Sequence, residues 1–116
     1  MVKKLTECES VELVYEKHVL RVKIRGDIDH HSAKGIRDKI DNAIFSKKPA
    51  MVVLDLSVVE FMDSSGLGLI MGRYTNSMEI GASFLIYRPC PRVKKILELA
   101  GIERIMEIKG DDDYEA

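Results

Sequence analysis

A single α/β domain is predicted for this chain by three features: nearly continuous apolar runs at residues 51–56 and 83–87, a helical repeat between them, and a length of 116 residues. Continuous apolar runs suit strands covered on much of both faces, and the strand–helix–strand order is that of a right-handed parallel crossover. The length supplies one ordinary core and too little for two comfortable ones. The domain is expected over residues 1–110, with an acidic flexible tail at 111–116 that has little to bury.

Each element follows from local pattern. Residues 11–15 and 20–24 read as a hairpin, because Leu20, Val22 and Ile24 alternate with Arg21, Lys23 and Arg25, which leaves one face wet. Over residues 32–45 the apolar set Ala33, Ile36, Ile40, Ala43 and Ile44 keeps helical spacing, with Lys34, Arg37, Asp38, Lys39 and Asp41 on the other side. After the run at 51–56, the Asp63-Ser64-Ser65 cluster reads as an N-cap, with Ser64 where helix N–H groups are unpaired. It opens a helix to about residue 80, with Leu67, Ile70, Met71, Tyr74 and Met78 on its apolar side and Gly81 as its stop. Gly68 and Gly72 cost this helix about 1 kcal/mol each relative to alanine, and close packing is expected to offset that. Pro89 and Pro91 announce a last helix through Val93, Ile96, Leu97 and Ala100 to Gly101, and residues 105–108 add a short strand.

Composition excludes several classes of partner. The net charge is −1 with both signs spread along the chain, so no basic field exists for nucleic acid or an anionic membrane. No apolar run approaches the roughly 20 residues a membrane helix needs, and residues 1–7 lack an apolar signal core. A cytoplasmic protein is expected. Cys8 and Cys90 are far apart and outside any C-x-x-C spacing, which argues against a disulfide framework or thiolate metal site and makes Cys90 a small packing residue.

Several polar clusters invite a chemical reading. Asp27-Ile28-Asp29 has the D-x-D spacing of aspartyl-phosphate phosphotransferases, but the chain is short for the further Mg²⁺ carboxylates and cap, and His31 stands where that motif wants a hydroxyl. His30 and His31 with Asp27 and Asp29 are competent zinc ligands, yet adjacent histidines point apart and no H-x-x-x-H spacing exists, so no metal is expected. Gly66, Gly68 and Gly72 imitate a dinucleotide fingerprint, but the loop at 57–65 separates them from the strand whose tight turn that motif needs, and no cofactor is expected. Ser64 or Ser65 as nucleophile lacks the G-x-S-x-G elbow and a placed base. What remains is a binding module whose loop and helix start form the recognition surface. Val58, Val59, Phe61 and Met62 give that loop more apolar area than a solvated connection needs, to plug the core or to touch a partner.

The run Phe61-Met62-Asp63-Ser64-Ser65-Gly66-Leu67-Gly68, followed by Leu69-Ile70-Met71-Gly72-Arg73-Tyr74, closely resembles the anti-sigma-factor antagonists of the STAS domain family, most of all their sporulation branch. Gly26-Asp27-Ile28-Asp29-His30-His31-Ser32-Ala33 is similar to the segment ending that family's second strand, and the likeness spans about residues 10–108. The resemblance implies a small mixed sheet of four to five strands with three to four helices packed mainly on one side. It implies a non-enzymatic regulator that binds an anti-sigma factor, itself a serine kinase with bound nucleotide, and so releases the sporulation sigma factor of the forespore. The kinase would phosphorylate Ser64, with Ser65 the runner-up, and a serine phosphatase of the PP2C type would reverse it. Asp29, His30, Asp63, Ser64, Ser65, Gly66 and Leu67 match the family's partner-contact positions. A stress-response antagonist shares the D-S-S-G core and is the alternative, as is a small-molecule-sensing STAS module.

Overall fold

The strands of the sheet lie side by side in the order in which the chain makes them. In the computed structural model, which describes residues 3–7 and 10–110, these are β1 (Lys3–Glu7), β2 (Val11–Glu16), β3 (Val19–Arg25), β4 (Met51–Val58), β5 (Ser83–Tyr87) and β6 (Glu107–Lys109). Three α-helices, α1 (His30–Lys47), α2 (Ser64–Glu79) and α3 (Pro91–Leu99), and a 3₁₀ turn at Ile102–Arg104 join them. The first three strands pair antiparallel and the pairs from β3 to β6 are parallel, so the sheet is mixed. The sheet has six strands, against the four to five expected; the additional one is β1, an edge strand paired to β2. The acidic tail expected at 111–116, and Cys8, lie outside the described residues.

This order explains why the helices share a face. Three parallel crossovers that each step one strand in the same direction, all right-handed, put every helix on one side of the sheet. The registered rows Leu20–Val52–Phe84 and Val22–Leu54–Ile86 form the covered face. Ile36, Ile40 and Ile44 of α1, Leu69 and Ile70 of α2, and Val93 and Leu97 of α3 pack into the same core. Burying such a side chain stabilises the fold by about 1.5–3 kcal/mol each. The other face carries no helix, yet Val53 and Leu85 there are only 2% and 3% exposed. They sit mid-row between Arg21 and Glu107, whose stems are long enough to lie over them.

The helix α2 differs from its sequence reading in two ways. Its buried residues are Gly66, Leu69, Ile70, Arg73 and Ser77, while Met78 is exposed and Leu67, Met71 and Tyr74 are half-buried. The helix packs on both β5 and α1, so its buried arc is turned from the single apolar stripe toward α1. The close packing expected at Gly68 and Gly72 is not there: an added Cβ at either would meet nothing within 4 Å. The close approach belongs to Gly66 instead, where a Cβ would lie 2.7 Å from the Met62 Cβ. Gly81, in the left-handed region at φ 77°, follows the end of α2 as expected, and Pro91 occupies the first turn of α3.

Candidate functional site

Beyond the ends of β3 and β4, one isolated parallel bridge ties the two loops that lead into α1 and α2. It joins Ile28 to Met62, both buried side chains. The Ile28 N–H donates to the Phe61 carbonyl at 3.2 Å, and the Asp63 N–H donates to the Ile28 carbonyl at 3.2 Å. Each bridging residue immediately precedes the aspartate that caps its helix, so Asp29 and Asp63, distant in sequence, start their helices side by side.

The caps are complete. Asp29 Oδ1 accepts from the His31 and Ser32 N–H groups at 2.9 and 3.0 Å, and Ser32 Oγ accepts from the Asp29 N–H at 3.2 Å, which closes a capping box. The Ser32 N–H, ahead of an opposing desolvation and the His31 bond, holds the Asp29 carboxyl below its ordinary value of 3.8. A carboxyl depressed by folding contributes stability that is present above the unfolded value and is lost as pH falls through the folded one. The melting temperature of the chain is therefore expected to drop on acidification below pH 3.8. Asp29→Asn should show a shallower drop, as measured by thermal melts across that range.

Within the Asp63-Ser64-Ser65 cluster it is Asp63 that caps α2. Its Oδ1 accepts from the Ser65 N–H at 2.8 Å, and its carbonyl accepts from the Gly66 and Leu67 N–H groups at 2.9 and 3.4 Å. Hence Ser64 is not the cap but the first helical residue, exposed, and the N–H groups of residues 65–67 are already engaged. The bridge decides this register: it fixes Asp63 in extended backbone, the conformation a cap requires. The apolar loop divides its roles. Val59 and Met62 plug the core at 0% and 1% exposure, whereas Val58 and Phe61 stand 46% and 47% exposed beside the helix starts. Leu67 is half-buried against the core, and Cys90 packs there with its Sγ on the Val59 carbonyl at 3.4 Å.

Between α1 and α2 runs an open cleft of about 460 Å³. His30, Lys34 and Arg37 line it from α1, and Ser65, Gly68 and Arg73 from α2. Thus Ser65 and His30 turn toward the cleft, and Ser64 does not line it. Arg73 is 5% exposed. Its Nε lies 2.8 Å from Asp41 Oδ1, an oxygen that also accepts from Asn76 Nδ2 at 2.8 Å, but the N–H does not point along that line. Its Nη1 has no hydrogen-bond partner among the described residues. Burial pushes the guanidinium pKa down, Asp41 holds it up and Arg37 pushes it down. The sequence reading did not single out Arg73, because a charged residue on a helix reads as solvent-facing; its one signal is the eight-residue step from Ser65 along one helical face.

Asp27 and Asp29 are both exposed, and Asp29 is committed to its cap. The His30 and His31 rings meet edge to face with centroids 6.0 Å apart. Among the described residues no group of three histidine, cysteine, aspartate or glutamate side chains is placed to hold a metal ion, and no helix is long and apolar enough to cross a membrane.

Comparison with known proteins adds to this geometry. Residues 10–113 match the family described as STAS domain. An anti-sigma F factor antagonist of Paenibacillus polymyxa is 36% identical over 102 residues, covering 88% of this chain and 87% of that protein. An anti-sigma-B factor antagonist of Listeria monocytogenes is 26% identical over 88 residues, 75% of each chain. Among solved structures, the Bacillus cell fate determinant SpoIIAA in its phosphorylated form superposes with a TM-score of 0.69 at 26% identity, over 89% of this chain and 94% of that one.

Proposed function

The chain belongs to the STAS domain family, and from that premise we propose that it is an anti-sigma-factor antagonist switched by phosphorylation of Ser64. In its unphosphorylated form it docks an anti-sigma factor through the paired helix starts, with Asp29, His30, Asp63, Ser64, Ser65, Gly66 and Leu67 at the contact. That factor is a serine kinase with bound nucleotide, and its capture releases a sigma factor. The exposed side chains of Phe61 and Val58 supply apolar area to such a contact.

The observation that carries the reading is the freedom of Ser64. It is exposed at the first position of α2, and Asp63 has relieved it of capping. A kinase can therefore take the hydroxyl without unravelling the helix. In the transfer, Ser64 Oγ forms a bond to the γ-phosphorus of ATP, the bond to the β,γ-bridging oxygen breaks, ADP leaves, and the hydroxyl proton passes to a base on the kinase. A serine phosphatase of the PP2C type returns the hydroxyl by hydrolysis, which completes a partner-switching cycle.

The relative at 36% identity favours the sporulation sigma factor, and hence the forespore, over the stress-response factor named in the relative at 26%. Intact mass and fragment mapping after incubation with a sporulation anti-sigma kinase and ATP should show one phosphate, on Ser64. Ser64→Ala should take none, keep its affinity for the kinase, and melt within about 0.5 kcal/mol of the parent because no cap is lost. A chain left unmodified, or modified elsewhere, would return attention to the small-molecule-sensing reading.

A further inference from the structure

Two adjacent hydroxyls stand at the start of α2, and they are turned to different places. Ser64 is exposed, whereas Ser65 is half-buried and lines the cleft toward α1. The cap does not separate them: Asp63 fixes where the helix begins, not how its first turn is rotated about the axis. The body of α2 does not decide it either, because the first turn is wound differently. The Gly66 N–H donates to the Asp63 carbonyl, three residues back, at 2.9 Å, while the Leu67 N–H reaches the same oxygen at 3.4 Å. In α1 the four-residue bond from the Ala33 N–H to the Asp29 carbonyl is 3.0 Å. The start of α2 is thus tightened toward three residues per turn, where each residue steps about 120° rather than about 100°.

The contact that holds this winding is the seat of Gly66 on Met62. A Cβ built on Gly66 would lie 2.7 Å from the Met62 Cβ, 3.1 Å from its Sδ and 3.2 Å from its Cγ. Met62 has no room to give way, since it is 1% exposed and its backbone is bridged to Ile28. Of the first four residues of α2, Ser64, Ser65 and Leu67 each carry the Cβ that this seat refuses, and only Gly66 lacks it. Turning the first turn by one residue in either direction would bring a β-carbon onto Met62. The glycine therefore sets the rotation, and the rotation sets which serine faces outward.

We propose that Met62 and Gly66 form a rotational key for the first turn of α2, with Met62 the positioning residue that presents Ser64 to the kinase and keeps Ser65 turned into the cleft. The choice between the serines as phosphate acceptors rests on the Ser64 reading given above, and the key itself does not.

The test is the initial rate of phosphorylation of the full chain by the anti-sigma serine kinase and ATP, with fragment mapping of the product. Gly66→Ala should lower kcat by about tenfold or more, the cost of a misplaced nucleophile, with KM within about twofold. Phosphate should then appear on Ser65 as well as on Ser64. Met62→Ala, which loosens the key where Gly66→Ala jams it, should show the same leak to Ser65, and Met62→Leu, which conserves volume, should restore the parental choice. Gly68→Ala, whose Cβ meets nothing within 4 Å, controls for helix propensity and should behave as the parent. Thermal melts identify the variants that are folded at the assay temperature. A folded Gly66→Ala chain with the parental kcat and phosphate on Ser64 alone overturns the proposal, as does an equal loss in Gly68→Ala. A parent chain that takes no phosphate overturns the Ser64 reading instead, and the key is then read from the Ser64 and Ser65 amide resonances. These should move in Gly66→Ala and stay in place in Gly68→Ala; equal shifts in the two variants overturn the key.

Discussion

Ser64→Asp is expected to weaken binding to the anti-sigma factor several hundred-fold, a loss of about 3–4 kcal/mol, with the fold intact. The reason lies in the hydrogen bonds of the first turn of α2. The N–H groups of Ser65, Gly66 and Leu67 already donate to Asp63, so these three are not available to a new anion at position 64. Only the helix dipole favours it, by about 0.3–1 kcal/mol, and the neighbouring Asp63 opposes that. The carboxylate stays stable because water solvates it. Docking that buries Phe61 and Val58 would strip away this water, and the desolvation penalty falls on the complex alone. Calorimetric or surface-binding titration against the kinase measures the affinity, and a thermal melt measures the fold. An unchanged affinity would show that charge is not the switch.

Two glycine substitutions two residues apart in α2 are expected to act in opposite directions. Gly66→Ala places a Cβ 2.7 Å from the Met62 Cβ, an atom anchored to the backbone that cannot swing aside. Such overpacking costs about 1–3 kcal/mol, and the roughly 1 kcal/mol of helix propensity gained by alanine offsets only part of it. Gly68→Ala meets nothing within 4 Å and should keep that gain, raising stability by up to about 1 kcal/mol. Denaturant unfolding of the two variants beside the parent chain measures both signs. A stabilised Gly66→Ala protein would mean that Met62 is free to move, and the loop with it.

The same pair of glycines shows where the sequence is legible and where it is not. In the sequence each is a glycine inside a helical pattern, and nothing local tells the crowded one from the open ones; Met62 decides, and its position is set by a bridge to Ile28. The helices and the inner strands were readable because the alternation of Leu20, Val22 and Ile24 and the runs at 51–56 and 83–87 are periodic signals. The strand Lys3–Glu7 was not, since only one of its residues, Leu5, is strongly apolar, and an edge strand can be held by backbone pairing to β2. The Asp63-Ser64-Ser65 motif marks the start of α2, but three adjacent residues can each cap a helix. The choice among them was made by tertiary contact. Arg73 escaped notice for a similar reason: its burial depends on α1 lying against α2, which no pattern within α2 reveals.

The bridge between Ile28 and Met62 also has a dynamic consequence. Among the described residues two backbone hydrogen bonds join these loops in register, and each crosses from one loop to the other, so opening one loop breaks the bonds of both. The Ile28 and Asp63 amides should therefore exchange with deuterium as one cooperative unit, with a common opening free energy below that of the central strands. Whatever loosens the loop beside Ser64 will loosen the loop beside His30 by the same amount.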